Sequence, residues 1–370
     1  NYSGLDKGDN YLYIYSHQIT TVFIFQIILS LFGRATFILY IMQSFSISFI
    51  IFMLYKISNI LFDDEDTNYI VVILGALCFP LIFYVAFVYG LLPGMFLTLV
   101  AYYYFIKYIK EKHWYQLVIS ALSINLAILL IGNNLIHLLA IFSVAVIYFI
   151  RNKDWKIIAF ILSCVFLMSA SKSVITNYYE VKSQKEIAEG VPKITWIAMG
   201  MQEGEREAGW WNRFNYDIMP EEEYDEKRIT EISKTSMKQR LNVFRDNPKY
   251  AFDFYQRKYE NQFIEPTFQS LLVTAPQRNF SNETTLEKIR DFFVKQIYFN
   301  HTHTVLEFIM KVFQVFVYLF TFVFAVVMYK RKNEFFAIIP IAFIGGTLFN
   351  MIWEAKSRYI FPYFVFLIPL

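Results

Sequence analysis

The chain has 370 residues, 56% of them hydrophobic and 18% charged, with a formal net charge of +3 and a mean hydropathy of +0.38. Soluble globular proteins have about 45–50% apolar and about 25% charged residues, so this composition and its long apolar runs indicate a polytopic membrane protein. The nearly balanced charge excludes a nucleic-acid-binding protein. The two cysteines both lie in apolar runs, which excludes a disulfide framework.

Residues 1–36 are predicted to form one external loop with a juxtamembrane helix. An apolar stretch extends from about His17 to Gly33, and only Gly33–Thr36 separate it from the next apolar run. Two spans joined so closely would force the second to run in the wrong direction, so we expect a helix that lies on the outer membrane face. Because the chain begins with Asn1 rather than Met and ends at Leu370 within an apolar run, we expect it to be part of a longer membrane protein.

The remaining chain is predicted to be all-α, with a membrane bundle interrupted by one large polar segment. Windows of about 20 residues predict spans at roughly 37–57, 68–89, 92–108, 114–131, 133–150, 155–174, 304–329, 334–352 and 358–370. This gives about six spans within 37–174 and about three within 304–370, the last of them incomplete. The polar residues 175–303 are expected to form an α-rich extracytoplasmic domain.

Short basic loops predict the orientation of the bundle. The loops 107–112, 151–156 and 330–332 are rich in Lys and Arg, and such loops stay in the cytoplasm. They place the 175–303 domain and the Trp353–Tyr359 loop outside. We therefore expect a multi-pass protein of the bacterial cytoplasmic membrane with its large domain outside.

Helix signals within the large domain predict two successive helices. Pro220 followed by three glutamates is typical of a helix start, so a helix is predicted from Pro220 toward Phe244. Asn247-Pro248 would end it, and aromatic residues at helical spacing predict a second helix up to about Phe263.

The first loop contains candidate groups for sugar binding and catalysis. His17 and Gln18 open the apolar helix and could hydrogen-bond a sugar or a phosphate, although helix capping and interfacial packing are the alternative. Asp6 and Asp9 could act as a general base toward an acceptor hydroxyl. The alternative for each is a solvated loop acid.

A second group of candidates comes from other predicted outer segments. Trp210 and Trp211 could stack on sugar rings, and the Asn212 amide could bond hydroxyls, while anchoring of the domain to the bilayer surface is the alternative. Asn133, in a tight external turn, could face the bundle interior or simply connect two spans.

Three charged residues near the chain end are the third candidate group. Glu354, Lys356 and Arg358 lie between two apolar runs, where ionisable groups are unfavourable beside hydrocarbon. The Arg guanidinium is a planar fork of donors that suits phosphate. The alternative is ordinary interfacial anchoring, but an outer loop with charges of both signs gains nothing from the positive-inside rule.

Two short motifs carry a resemblance to a known class. Tyr15-Ser16-His17-Gln18, followed by an apolar helix ending at Phe32-Gly33, is similar to a His-Pro-Pro-Leu region and its following helix, with Gln-Ile in place of the prolines. Ser357-Arg358-Tyr359 with Pro362 is similar to a "gRYxxP" pattern at an outer membrane edge. The chain thus resembles membrane-embedded GT-C glycosyltransferases, in the group of protein O-mannosyltransferases and lipid A aminoarabinose transferases.

This resemblance implies a GT-C-like bundle that transfers a hexose or pentose, with inversion, from a polyprenyl-phosphate sugar to a cell-envelope glycan, lipid or protein. Arg358, helped by Lys356, would stabilise the leaving phosphate, while Glu354 would orient Arg358 or contact the sugar. The class has its catalytic Asp early in the first external loop. Asp6 and Asp9 do not stand in that motif, and a base before Asn1 stays open. No motif requires a metal or a cofactor.

Two other classes of function stay open. One is a glycan polymerase or glycolipid transporter, although the spans hold few charges for ion coupling. The other is a non-catalytic membrane scaffold whose domain binds a partner. If the protein is a transferase, we expect Arg358, His17 and the Trp210–Asn212 segment to converge on one cavity.

Overall fold

The computed structural model describes residues 3–8, 10–204, 206–276, 284–328 and 337–370. The described chain is almost entirely helical, and its one pairing of extended residues, Glu203 with Ala208, is an isolated bridge. The helices fall into three groups along the chain.

The first group precedes the large domain and consists of α1 (Tyr11–Ile14), α2 (Ile19–Phe32), α3 (Thr36–Phe62), α4 (Glu65–Leu77), α5 (Phe79–Phe83), α6 (Leu91–Glu111), α7 (Trp114–Leu130), α8 (Leu135–Asn152) and α9 (Trp155–Ser183). The domain group consists of α10 (Lys193–Gly200), α11 (Phe214–Glu221), α12 (Glu226–Asp246), α13 (Pro248–Phe263), α14 (Ser270–Thr274) and α15 (Thr285–Tyr298). The last group consists of α16 (His301–Met328), α17 (Ile338–Ile352) and α18 (Ser357–Leu367).

Several of these helices are long and apolar enough to cross a membrane. Within the described ranges, the segments that meet this criterion are Thr36–Phe62, Leu91–Glu111, Gly132–Asn152, Trp155–Ser183 and His301–Val327. The bent pair Glu65–Leu77 and Phe79–Ala86 would form one more span, whereas α7 and α17 are apolar but shorter. The prediction of an all-α polytopic membrane protein is confirmed.

The second predicted span is not one straight helix. The prediction placed a continuous span over 68–89, but α4 ends at Leu77 and the chain continues at an angle of 50°. Pro80, at the start of α5, accounts for the break, because it has no N–H to bond the Ala76 carbonyl and its ring would clash with that carbonyl in a continuous helix. The bend brings Phe87 and Tyr89 over the end of the bundle that faces the domain.

The bundle has two chemically different ends. At one, here called the basic end, Lys110 donates to the Ile60 carbonyl, and Asp154 accepts from the Tyr108 hydroxyl at 2.7 Å. Lys112 pairs with the same carboxylate at 3.8 Å. The opposite end carries α10–α15 and is here called the domain end. The predicted basic loop 330–332 lies outside the described residues.

The N-terminal apolar helix α2 makes its contacts at the domain end of the bundle. Its 14 residues span only about 21 Å, less than a bilayer core. Thr20 and Thr21 at its start donate to the last carbonyls of α7 at 2.7 and 2.8 Å. Gln26, in its middle, accepts from the hydroxyl of Tyr179 near the end of α9 at 2.7 Å. Both contacts lie at the domain end, so α2 does not run down the bundle.

The predicted helix start at Pro220 is wrong. Pro220 lies in the last turn of α11, and the long helix α12 begins later, where Asp225 caps the backbone N–H groups of Lys227 and Arg228. Tertiary packing explains the difference, because Ile218 and Met219 are buried against Ile14 and Ile229. That small core holds the first loop against the domain. The second helix prediction agrees with α13, which ends at Phe263.

Candidate functional site

A cavity of about 450 Å³ opens at the domain end, where the first loop, the bend after α5, the large domain and the α17–α18 loop meet. Aromatic and charged side chains make up its lining: Tyr11, Tyr15, His17, Gln18, Tyr89, Trp196, Trp211, Arg213, Tyr216, Glu354, Lys356, Arg358 and Tyr359. Aromatic faces beside charged groups suit a ligand that has both a sugar ring and an anionic group.

The first loop forms one wall of the cavity. The Ile14 carbonyl accepts from the Val191 N–H at 2.9 Å, and the Ser16 hydroxyl donates to the Glu189 carbonyl at 2.7 Å. Gly190 makes this close approach possible, since a Cβ there would lie 2.6 Å from the Ile14 oxygen. The loop therefore turns the next residues toward the cavity in a fixed position.

Within this wall, His17 and Gln18 contribute polar nitrogens to the cavity lining. Gln18 Nε2 donates to the Tyr89 hydroxyl and lies 3.3 Å from His17 Nε2. Burial, with smaller effects from Tyr11 and Glu354, raises the pKa of Tyr15 to about 12, so its hydroxyl stays a donor at neutral pH. The wall thus offers both donors and acceptors to hydroxyl groups.

The α17–α18 loop forms the floor and carries two of the three predicted charges as an ion pair. Glu354 is 1% exposed, pairs with Lys356 and accepts from the Tyr359 hydroxyl at 2.9 Å. Lys356 Nζ also lies 5.5–5.9 Å from the ring centres of Trp210, Trp211 and Tyr359. Burial lowers the pKa of Lys356, and the negative charge of Glu354 opposes that effect.

Arg358 is the cation of this loop without a carboxylate partner. Its guanidinium carbon lies 5.2 Å from the Phe87 ring centre and 5.6 Å from that of Tyr359. Among the residues that the structure describes, no carboxylate comes within 4.0 Å of its nitrogens. The Glu354–Lys356 pair is neutral as a unit, so Arg358 gives the floor a net positive charge.

The domain supplies the aromatic side of the cavity. Trp196, on α10, stacks nearly parallel on Trp353, with ring centres 6.2 Å apart and an interplanar angle of 10°. Trp211 Nε1 donates to Asn215 at 3.0 Å, which fixes the indole while 36% of the residue stays exposed. Arg213 lines the rim and pairs with Asp217 at 3.0 Å.

A buried lysine holds the floor loop against the domain. Lys258 on α13 is fully buried, and its Nζ donates to the carbonyls of Gly200 and Trp353, the latter at 2.7 Å. The Ala355 N–H donates to the Gly209 carbonyl at 3.0 Å. A Cβ at Gly200 would lie 2.4 Å from the Trp353 oxygen, so glycine is needed for this contact. Burial lowers the pKa of Lys258 to about 7.

Six of the residues singled out in the sequence line the same cavity: His17, Gln18, Trp211, Glu354, Lys356 and Arg358. Trp210 is outside the lining, and its ring centre lies 5.5 Å from Lys356 Nζ. Arg358, His17 and Trp211 therefore line one cavity, whereas Trp210 and Asn212 of the same predicted segment do not line it.

Three other predicted residues do not take part in the lining, and Asp9 lies outside the described residues. Asp6 pairs with Lys185. Asn133 is exposed in a turn before α8 and is not among the lining side chains. The Asn212 side chain bonds to nearby groups of the domain: it donates to the Gln202 side chain at 2.7 Å and accepts from the Phe214 N–H at 3.1 Å.

The sequence patterns assign no role to several lining residues, among them Tyr89, Arg213 and Tyr216. Topology was the available signal for Tyr89, since it ends a span at the same end as the other candidates. The positions of Arg213 and Tyr216 depend on how α11 packs on α10, which the sequence pattern does not specify. In the described parts of the chain, no three His, Cys, Asp or Glu side chains are grouped so as to hold a metal ion.

Comparison with known proteins places the chain in a family. A family model described as "conserved hypothetical integral membrane protein" matches residues 9–370, so the chain belongs to that family. No curated protein and no solved structure matches the chain.

Proposed function

We propose that this member of a conserved integral membrane protein family is a glycosyltransferase that takes a sugar from a polyprenyl-phosphate donor and passes it to an acceptor at the domain end. The observation that carries the proposal is Arg358, a cation without a carboxylate partner among the described residues, on the floor of an aromatic cavity beside a membrane bundle. Each part of the donor has a matching surface there.

The phosphate of the donor pairs with Arg358. A guanidinium offers two parallel N–H donors to two phosphate oxygens, and it keeps its charge in a poorly hydrated site. Lys356 lies two residues earlier on the same loop and adds a second cation. As the sugar leaves, negative charge grows on the phosphate, so fixed cations stabilise the transition state more than the bound donor.

The sugar lies between the aromatic rings of the domain and the polar wall of the first loop. Trp211 and Tyr15 offer ring faces to its C–H groups, while His17 and Gln18 reach its hydroxyls. Such a pairing of rings with a few polar groups fixes the orientation of a ligand.

The polyprenyl tail lies along the membrane bundle. Gln43 of α3 donates to the Phe87 carbonyl at 2.9 Å, which joins the domain end of α3 to the bend beneath Arg358. The same end of α3 exposes Phe37 and Phe45 at 66% and 60%. A lipid-linked donor could therefore keep its tail in hydrocarbon while its phosphate reaches Arg358.

Replacement of Arg358 tests this proposal. In Arg358→Ala, sugar transfer from membrane-extracted, radiolabelled polyprenyl-phosphate sugars should fall by about 100-fold or more, because a preorganised charge is lost from the transition state. Arg358→Lys should recover only part of the activity. Arg245→Ala is the matched control, since Arg245 is 73% exposed, pairs with Asp246 and does not line the cavity.

Binding of farnesyl phosphate separates phosphate recognition from lipid recognition. The wild type should bind farnesyl phosphate more tightly than farnesol or inorganic phosphate, and Arg358→Ala should lose this preference. Wild-type transfer by Arg358→Ala would remove the phosphate role. Arg358-dependent binding without transfer to a glycan, lipid or protein acceptor would instead favour a glycolipid transporter.

A further inference from the structure

Among the described residues, Glu354 supplies the one carboxylate that lines the cavity. Asp6, a candidate base in the first loop, is paired with Lys185 and is not part of the lining. An acceptor hydroxyl that attacks a sugar needs a base beside it, and a carboxylate within hydrogen-bond reach can supply one. This makes Glu354 the group to consider.

Both oxygens of Glu354 are occupied as the structure stands. Oε2 accepts from the Tyr359 hydroxyl at 2.9 Å, and Oε1 contacts Lys356 Nζ. The residue is 1% exposed although it lines the cavity, so these two partners shield the carboxylate from other ligands. With Lys356 in contact with Oε1, a substrate hydroxyl has no access to that oxygen.

Lys356 has a flexible side chain and a second place to bind. Apart from Glu354, its ammonium is bordered by the rings of Trp210, Trp211 and Tyr359, which attract a cation without fixing one position. Lys356 and Arg358 line the same cavity. A phosphate that pairs with Arg358 therefore competes with Glu354 for Lys356.

From these contacts we propose that Glu354 is the general base, and that Lys356 blocks it until the donor phosphate draws the lysine away. This inference rests on the proposed glycosyltransferase function. It also gives Lys356 two successive partners, so that the site is active only when the donor is bound.

Atoms and charges balance in the proposed transfer step. The acceptor O–H bond breaks and its proton goes to Glu354 Oε1, while the acceptor oxygen forms a bond to the anomeric carbon. The bond from that carbon to the phosphate oxygen breaks, and its electron pair stays on the polyprenyl phosphate. Glu354 thus loses a negative charge as the phosphate gains one, and Lys356 is drawn further toward the phosphate.

Glu354→Gln is the first variant for the test, because it keeps the shape of the side chain and an acceptor for the Tyr359 hydroxyl. Sugar transfer should fall by about 100-fold or more, the usual effect of removing a general base. Farnesyl phosphate should nevertheless bind more tightly than to the wild type, since Lys356 is released from its pair. Wild-type transfer, or weaker binding of farnesyl phosphate, would overturn the proposal.

Lys356→Gln is the second variant and does not depend on Glu354 being replaceable. It should bind farnesyl phosphate more weakly than the wild type, and in the double variant the tighter binding caused by Glu354→Gln should disappear. Equal binding by Lys356→Gln and wild type would contradict the exchange of partners. If Arg358→Ala abolishes transfer while Glu354→Gln keeps it, only the assignment of the base fails and the proposed function stands.

Discussion

Glu354, Lys356 and Arg358 lie close together in the chain but have three different electrostatic surroundings. Glu354 is buried with two partners, and Lys356 is held by a carboxylate and by rings. Arg358 lies among tyrosine and phenylalanine side chains and has no carboxylate partner among the described residues. The sequence predicts the importance of these residues because they interrupt apolar runs. It cannot predict their partners, since Trp210 and Trp211 come from a distant segment.

The Trp211 indole offers a residue-scale test of sugar recognition. Trp211→Ala should weaken binding of a polyprenyl-phosphate sugar by about fivefold, or about 1 kcal/mol, because one aromatic contact is lost. Binding of farnesyl phosphate, which has no sugar, should change much less. Trp155→Ala is the control, since Trp155 is 71% exposed at the basic end.

Equal losses for the two ligands in Trp211→Ala would assign a different role to the indole. The ring would then act mainly on Lys356, whose Nζ lies 5.9 Å from its centre. A direct titration of each ligand by intrinsic fluorescence or calorimetry distinguishes the two outcomes.

At the scale of helices, α13 positions the floor of the cavity through Lys258. Its amine bonds the end of α10 and the residue that follows α17, so it joins the domain to the Glu354 loop. The folded-state pKa of about 7 lies below the ordinary value of 10.5. Between these two values the unfolded chain binds more protons than the folded one, and folding stability therefore rises with pH in that window.

Lys258→Met tests this coupling. The melting temperature of the detergent-purified wild type, measured relative to Lys258→Met, should increase from about pH 7 to about pH 10, because the amine is buried without charge at the higher pH. If the difference in melting temperature between the wild type and Lys258→Met stays the same at all these pH values, Lys258 keeps its charge in the folded protein.

The helices also show where sequence patterns succeed and fail. Long apolar runs predict α3, α6, α8, α9 and α16 well, since their hydrophobicity alone fixes a transmembrane helix. Two prolines show the limits of these patterns. Pro80 bends a predicted straight span, whereas Pro220 is tolerated at the end of a helix because Ile218 and Met219 are held by packing.

For the whole molecule, the topology brings distant segments to one end of the bundle. The first loop, the bend after α5 and the α17–α18 loop meet there because the helices between them traverse the bundle and return. The sequence predicts this shared end from span order and basic loops. It does not predict which side chains line the cavity, as Asn133 and Asp6 demonstrate.

Orientation in the membrane is a whole-molecule prediction. Leu241 on α12 is exposed at the domain end, and Lys153 is exposed at the basic end. Both native cysteines are buried. In intact cells, a membrane-impermeant maleimide should label Leu241→Cys and not Lys153→Cys, because basic loops stay inside. Labelling of Lys153→Cys alone would reverse the orientation.

The most direct test of phosphate binding by Arg358 is an experimental structure of the protein with bound farnesyl phosphate. We expect the phosphate in the cavity, with oxygens at about 2.7–3.0 Å from the Arg358 guanidinium, and Lys356 turned from Glu354 toward it. A phosphate bound away from Arg358 would contradict the proposed function.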